Sequence, residues 1–358
     1  MVILHIASVS NNPFSGVCTV VPKHVFYQSK YAECALLNVS GESINADIKQ
    51  LEYKKGIRLN ELPKPFSSPD LIVFHEVYYP AMLPLAKQAK SAGIPYIIIP
   101  HGCLTANAQR QKRLKKLIGN MLLFNRFING AAALQFLSKP EMKRTKFGSR
   151  SFIGTNGIGE LEYEKVWKES SGSGIVYIGR LDIISKGVDI LLEAVSKAKD
   201  VMEKNSCRLD IYGPDQNDMH DYIRKTVNER SLGSVVSLHR EAFGEEKEKL
   251  LKESDLFIQT SRSEGMPMGI LEALNYGLPC IVTKGTTLGE VIRSYDAGWP
   301  AETDPDSVAE AIVKALNEKD KWKAMSKNAR RLTEENYLWD KVVKKTILEY
   351  EKYVKGSQ

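Results

Sequence analysis

Residues 174–213 read GIVYIGRLDIISKGVDILLEAVSKAKDVMEKNSCRLDIYG, and this stretch decides the fold. Gly174 to Ile178 and Arg208 to Tyr212 have the composition of strands, and Val188 to Glu203 between them has a helical pattern. Strand, helix, strand over this length is a βαβ unit, whose two strands run parallel. The alternation continues downstream, with strands expected at Val235 to Leu238, Leu256 to Gln259 and Pro279 to Val282. Helices are expected at Met219 to Glu229, Glu246 to Glu253 and Met268 to Tyr276. Upstream, Val2 to Val9, Ala35 to Val39, Leu71 to Phe74, Tyr96 to Ile99 and Ala133 to Phe136 form a second series. The Ile97-Ile98-Ile99 run suits a strand covered on both faces. The class is α/β, with two doubly wound parallel sheets.

A boundary near residue 160 separates the series. Ser151 to Gly159, SFIGTNGIG, contains the Asn156-Gly157 turn signal and leads into a polar stretch ending SSGSG. Residues 1–159 and 160–338 are therefore expected to be two domains. Residues 339–358 are expected to be a terminal helix, from Asp340 to Val354, that returns to the first domain. At 358 residues, 43% apolar and 26% charged, the chain has material for two buried cores, which excludes a fibrous or disordered protein. The five cysteines lie far apart without zinc spacing, so neither a disulfide framework nor a structural metal is expected, and a reducing, cytoplasmic compartment fits. No secretory leader and no spanning segment is expected from the apolar runs.

The net charge of +7 conceals an asymmetry. Residues 1–159 carry twenty basic and eight acidic side chains, and residues 160–358 carry thirty and thirty-five. Between Arg110 and Arg150 there are eleven basic residues and one acid, Glu141. Arg110, Lys112, Arg113, Lys115 and Lys116 open a helical pattern, and Leu114, Leu117, Ile118, Met121 and Leu122 form an apolar stripe along it. Such a helix can lie on an anionic membrane, or it can pack on its own sheet with its cations solvated. Phe124 and Phe127 follow the Arg110 to Lys116 cluster and do not interleave with it, so a nucleic-acid partner is not expected.

Ligands of open parallel sheets bind past the carboxyl ends of the strands, and the residues there share one chemistry. Arg180 and Lys186 on one βα loop can grip a diphosphate, though a solvated loop with incidental charges is the plain alternative. After Leu256 to Gln259 comes SEGMPMGILEA, residues 263–273. Pro267 suits a first helical turn, and the amides of Met268, Gly269 and Ile270 form an anion site. Glu264 and Glu272 can accept from paired hydroxyls, or serve as ordinary surface and helix-terminal charges. The first βα turn, Ser8 to Val17, is a small-residue loop that with Gly16 can approach a donor phosphate closely, but it lacks a dinucleotide fingerprint. His101 follows Tyr96 to Ile99, and His75 closes the strand at Leu71 to Phe74. Two histidines at the ligand edge of one domain exceed what a single structural histidine explains.

Taken together, G-R-L-x(4)-K-G-x-D at Gly179 to Asp189, E-x(7)-E at Glu264 and Glu272, His101-Gly102 and Asn156-Gly157 resemble the GT4 (group 1) glycosyltransferases, over nearly the whole chain. The resemblance implies the GT-B architecture: two facing Rossmann-like domains, the first for the acceptor and the second for a nucleotide diphosphate sugar. By that resemblance Arg180 and Lys186 match the diphosphate-binding pair, Glu272 the ribose ligand and Glu264 a contact to the donor sugar. Met268, Gly269 and Ile270 match further donor contacts, and His101 matches the histidine beside the anomeric centre. Two departures stand out. Gly16 follows Ser15 where the family usually has a glycine pair, and Met266-Pro267 replaces Phe-Gly after Glu264-Gly265.

The resemblance also implies a retaining, metal-independent transferase with no cofactor beyond its UDP- or GDP-linked donor. Its expected acceptor is a glycan or a lipid-linked saccharide, with the inner face of the cell membrane as the surface the protein can touch. A sugar-nucleotide epimerase on the same architecture and a non-catalytic sugar-nucleotide-binding protein are the alternatives.

Overall fold

The structure is a computed structural model that describes residues 1–110, 113–148, 150–163 and 174–355. It divides into two compact units, one of Met1–Gly157 with Trp339–Gln358, the other of Ile158–Leu338.

In the first unit the strands are β1 (Val2–Ala7), β2 (Glu33–Asn38), β3 (Gln50–Leu51), β4 (Leu71–His75), β5 (Tyr96–Ile99), β6 (Ala133–Phe136) and β7 (Ser151–Ile153). They form one parallel sheet in the order β3-β2-β1-β4-β5-β6-β7. The central strands are buried along their length, as expected for a sheet with helices on both faces. In the second unit β8 (Gly174–Ile178), β9 (Arg208–Tyr212), β10 (Val236–His239), β11 (Leu256–Gln259), β12 (Cys280–Thr283) and β13 (Gly298–Ala301) run parallel in the order β10-β9-β8-β11-β12-β13. Both sheets therefore reverse strand order beside their first strand, at β1/β4 and β8/β11, which is where doubly wound sheets open a crevice for ligands. The core of the second unit lies under the helices Val188–Lys204 and Pro305–Asn317, with Leu191, Val195 and Ile312 fully buried.

Three strands differ from the sequence expectation. Ser151–Ile153, read as the start of a linker, pairs with β6 in the register Leu134↔Ser151. Three residues are too few to show a period, and the Asn156-Gly157 signal behind them dominates the reading. β3 has only two residues. β13 contains Gly298 and Pro300, residues that argue against a strand, but it lies at the sheet edge where a missing N–H is tolerated. Gly298 is required there, since a Cβ would stand 2.0 Å from the Cys280 carbonyl oxygen.

The last helix, Trp339–Lys355, is part of the first unit. Its Tyr350 hydroxyl donates to Gln135 Oε1 at 2.6 Å, and Phe152 meets the rings of Tyr350 and Tyr353. Trp339 explains the Asn-Gly pair, which is no turn glycine: a Cβ on Gly157 would lie 2.5 Å from Trp339 Cδ2. The neighbouring Asn156 is buried and bonds His24. All five cysteines are free thiols. Among the described residues no helix is long and apolar enough to cross a membrane. The polar stretch ending SSGSG lies outside the described residues over 164–173.

Candidate functional site

In the second unit the loop after β8 is shaped by its own residues. Asp182 accepts from the backbone N–H and hydroxyl of Ser185 and from the N–H of Lys186, folding the loop back on itself. Leu181 is buried beneath it. Gly187 has φ +66, and a Cβ there would stand 2.4 Å from the Thr260 carbonyl oxygen, so only glycine lets this loop close on the end of β11. Asp189, in the first turn of the following helix, takes both terminal nitrogens of Arg262 at 2.6 and 2.7 Å. Burial alone would push the Asp189 carboxyl up, but the adjacent guanidinium outweighs it and holds the group below its ordinary range. The two βα loops are thereby clamped together.

That clamp brings Lys186 to Glu264. Glu264 Oε1 accepts from Lys186 Nζ at 2.5 Å, Ser261 Oγ at 2.7 Å and Gln259 Nε2 at 3.0 Å. Each of the two side chains is only 15% exposed, so the pair sits largely out of water. Glu272 is engaged by Lys247, from the helix Gly244–Glu253. Arg180 is exposed, and its guanidinium makes no hydrogen bond or ion pair among the described residues. Both carboxylates therefore already have a cationic partner, while one cation is held ready.

The helix Met268–Asn275 begins beside this cluster with Pro267 at its cap. The expectation of three free amides is corrected: Ile270 N–H bonds the Pro267 carbonyl at 3.2 Å, which leaves Met268 and Gly269. Gly269 lies against the end of β8, where a Cβ would touch the Ile178 carbonyl oxygen at 3.5 Å. Lys247, Gln259, Ser261 and Arg262 were not read from the sequence. Single polar residues on a helix or at a strand end have no spacing that announces them.

In the first unit the ligand edge of the sheet holds four histidines. His75 at the end of β4 and His101 after β5 were expected; His5 inside β1 and His24 on the helix Gly16–Gln28 were not. The one signal for His5 was a polar residue interrupting the buried strand VILHIA. His5, His24 and His75 are buried, and His24 stands edge-on to Trp339 with ring centroids 5.0 Å apart. Burial drives the pKa of His5 and His101 down to about 3 and that of His24 to about 4, and it holds His75 well below its ordinary range. All four rings are neutral at pH 7.

Glu76 and His101 have φ of +66 and +50, left-handed values that cost a side chain energy and concentrate at functional sites. The His101 turn is held from below. Glu141, fully buried, accepts from Gly102 N–H at 2.6 Å and Leu137 N–H at 2.7 Å, which accounts for the lone acid in the basic run. Burial raises the Glu141 and Glu76 carboxyl pKa values. Gly16 is the first residue of its helix, capped by Ser15, with open space where a Cβ would be.

The basic segment is helical over Ala106–Arg110 and Arg113–Gly119, widens into a π-type turn at Asn120–Phe124 and continues over Asn125–Asn129. Phe124 is buried against the Tyr78 ring and Asn120 bonds Gln109, so one face is anchored. The other is bare: Leu117 is 62%, Met121 69% and Leu122 64% exposed, with Ile118 and Leu123 beside them. Lys116 departs from expectation, since its Nζ donates to the Ala108 carbonyl at 2.6 Å and lies over Tyr78. Lys112 lies outside the described residues, as do the side chains of Arg113 and Lys115. Arg110 is exposed. Among the described residues no group of three or more His, Cys, Asp or Glu is placed to hold a metal ion.

Residues 162–332 match a family described as Glycosyl transferases group 1. An uncharacterized glycosyltransferase of Methanocaldococcus jannaschii is 28% identical over 177 residues, 49% of this chain and 44% of that protein. A GDP-mannose:cellobiosyl-diphosphopolyprenol alpha-mannosyltransferase of Xanthomonas oryzae is 26% identical over 169 residues, 47% of this chain and 43% of its own length. The chain spans about half the length of the curated relatives it matches. Among solved structures, a sucrose-phosphate synthase from Thermosynechococcus elongatus superposes with a TM-score of 0.74 at 15% identity, covering 98% of this chain and 99% of that one. That likeness is one of fold.

Proposed function

We propose, from the match of residues 162–332 to the group 1 glycosyl transferases, that the chain is a retaining glycosyltransferase that takes a hexose from a UDP- or GDP-linked donor. The observation that carries this reading is the Lys186–Glu264 pair between the loops that follow β8 and β11, with Arg180 on the first loop and Glu272 on the helix after the second. A guanidinium without a partner among the described residues and a lysine suit a diphosphate, and the Met268 and Gly269 amides add the positive end of a helix. Glu272 suits the ribose hydroxyls and Glu264 those of the donor sugar.

Leaving-group charge is neutralised by Arg180, Lys186 and the helix terminus, and no metal is assigned a role. The departing diphosphate oxygen assists deprotonation of the acceptor hydroxyl on the same face of the sugar, so the anomeric configuration is retained. His101, neutral at pH 7, donates a hydrogen bond to a sugar hydroxyl and does not serve as a charged acid. The test is incubation with UDP- and GDP-hexoses and saccharide acceptors, with the product anomer read by NMR. An α-linked product from an α-linked donor is expected. An inverted product overturns the mechanism, and an epimerised donor formed without acceptor overturns the class.

We further propose a lipid-linked saccharide as acceptor, met at an anionic membrane surface. The bare Leu117, Ile118, Met121, Leu122 and Leu123 stripe supports it, within residues 1–159, whose net charge is +12. The named acceptor of the Xanthomonas relative, a diphosphopolyprenol, is consistent with it. Each basic residue near such a surface contributes ~1 kcal/mol. In a flotation assay the protein is expected with vesicles containing anionic lipid and not with neutral ones, and Leu117→Glu with Met121→Glu should abolish recovery. Equal recovery from both vesicle types removes the membrane.

A further inference from the structure

Glu76 is the first residue past β4, beside the point where the sheet of the first unit reverses its strand order. Its N–H bonds the Ile99 carbonyl at 2.8 Å, at the end of β5. There it has a φ of +66, a left-handed backbone that glycine adopts freely and glutamate only at a cost. Val77 is fully buried and the Tyr79 carbonyl accepts from Met82 N–H at 3.0 Å, so the segment from Glu76 to Tyr79 is fixed at both ends. On the other side His75 Nδ1 lies 3.0 Å from His101 Nε2, which puts Glu76 one residue from the contact between the two strand ends.

A carboxylate held largely out of water needs hydrogen-bond donors. Glu141, the other carboxylate of this region, has one on each oxygen, from Gly102 N–H and Leu137 N–H. Among the described residues Glu76 has no cation and one side-chain partner, the Tyr79 hydroxyl, which donates to it. Burial and the adjacent Glu76 push the Tyr79 pKa up, so the hydroxyl keeps its proton and gives it to the carboxylate.

The Tyr79 oxygen then has a lone pair left, and the carboxylate has several. Side by side, the two groups offer acceptors and no free donor. Both side chains are neither buried nor fully exposed, so a ligand can reach them. The match is a ligand with two neighbouring O–H donors, whereas a phosphate or carboxylate brings only further acceptors.

We propose that Glu76 and Tyr79 bind a vicinal diol of a saccharide, one hydroxyl donating to the Glu76 carboxylate and its neighbour to the Tyr79 oxygen. Naming that saccharide the acceptor rests on the glycosyl transfer proposed above; its binding does not. The preceding residue, Tyr78, bonds Gln109 and meets the Phe124 ring under the basic helix. The diol site and the helix with the bare apolar stripe are thus joined through consecutive residues.

The probes are the methyl α-glycosides of mannose, galactose, glucose and N-acetylglucosamine, titrated onto the full chain by saturation-transfer NMR. Monodeoxy forms of the tightest-binding glycoside follow, and UDP and GDP are titrated by calorimetry. At least one glycoside is expected to bind wild type. Glu76→Gln and Tyr79→Phe should each weaken it about tenfold or more, with nucleotide affinity unchanged.

One deoxy form should bind wild type as weakly as its parent binds Glu76→Gln, and should lose nothing further in that variant. Absence of glycoside binding to wild type overturns the diol site, as do deoxy losses that are equal in wild type and Glu76→Gln. Glycoside binding that behaves as stated while wild type binds neither nucleotide supports the diol site and removes the glycosyl transfer that makes its ligand an acceptor.

Discussion

Replacing Arg180 or Lys186 by alanine is expected to lower kcat/KM for the nucleotide sugar by about 10²-fold each, the size typical of removing one positioned donor to a developing charge. The two variants should differ in what else they do. Arg180 is exposed and unpartnered among the described residues, so its loss costs no native contact and Tm should stay unchanged. Lys186 is the cation on Glu264, and its loss leaves a carboxylate at the same largely buried place with only Gln259 and Ser261 as donors. Lys186→Ala should therefore also lower Tm, while Lys186→Ala with Glu264→Gln should restore stability without restoring turnover. Steady-state kinetics and thermal melts of the three proteins check this. Turnover near wild type in Arg180→Ala and Lys186→Ala removes the donor site.

The second large effect is on acid stability, and it is confined to the first unit. His5, His24, His75 and His101 all have folded pKa values below the ordinary 6.5, so below that pH the unfolded chain binds protons that the folded one refuses. Stability is full above about 6.5 and falls as pH drops toward 4, with all four histidines acting in the same direction. Glu76 and Glu141 act in the opposite sense, because their raised carboxyls take up protons in the folded state first.

Four histidines outweigh two carboxyls, and a typical domain has only ~5 to 15 kcal/mol to lose. The first unit should unfold between about pH 4 and 5.5, where the second holds. Hydrogen exchange at pH 7 and 4.5, corrected for intrinsic rates, should show protection lost in β1 and β4 and kept in β8 and β11. Equal protection in both sheets contradicts the buried neutral cluster.

The parts of the molecule legible in the sequence are those with a repeating physical signature. The βαβ alternation located both sheets, and Asp340 to Val354 marked the last helix to within a residue at each end. Gly187 and Gly269 were readable as motif positions, but the reasons for them, the Thr260 and Ile178 carbonyls, belong to tertiary contact. The Asn156-Gly157 pair was misread as a turn because the residue that demands the glycine, Trp339, lies at the far end of the chain.

The same distance in sequence hid the partners of the site. Arg180 and Lys186 lie on one loop, and Glu264 lies on a second with Glu272 in the helix that follows it, at recognisable spacing. Lys247 reaches Glu272 from a helix that carries many lysines, and nothing in its local sequence singles it out. His5 and His24 join His75 and His101 only because β1, β4 and the first helix meet at one edge of the sheet.

The proposed donor site requires that the β8/β11 crevice bind a nucleoside diphosphate through Arg180 and Lys186. Calorimetric titration of wild type and of the Arg180→Ala, Lys186→Ala double variant with UDP, GDP and ADP tests it without an acceptor. Saturable binding of UDP or GDP to wild type, weakened about 100-fold or more in the double variant, is the predicted result. Equal affinity in the two proteins, or no binding of any of the three nucleotides to wild type, would contradict it.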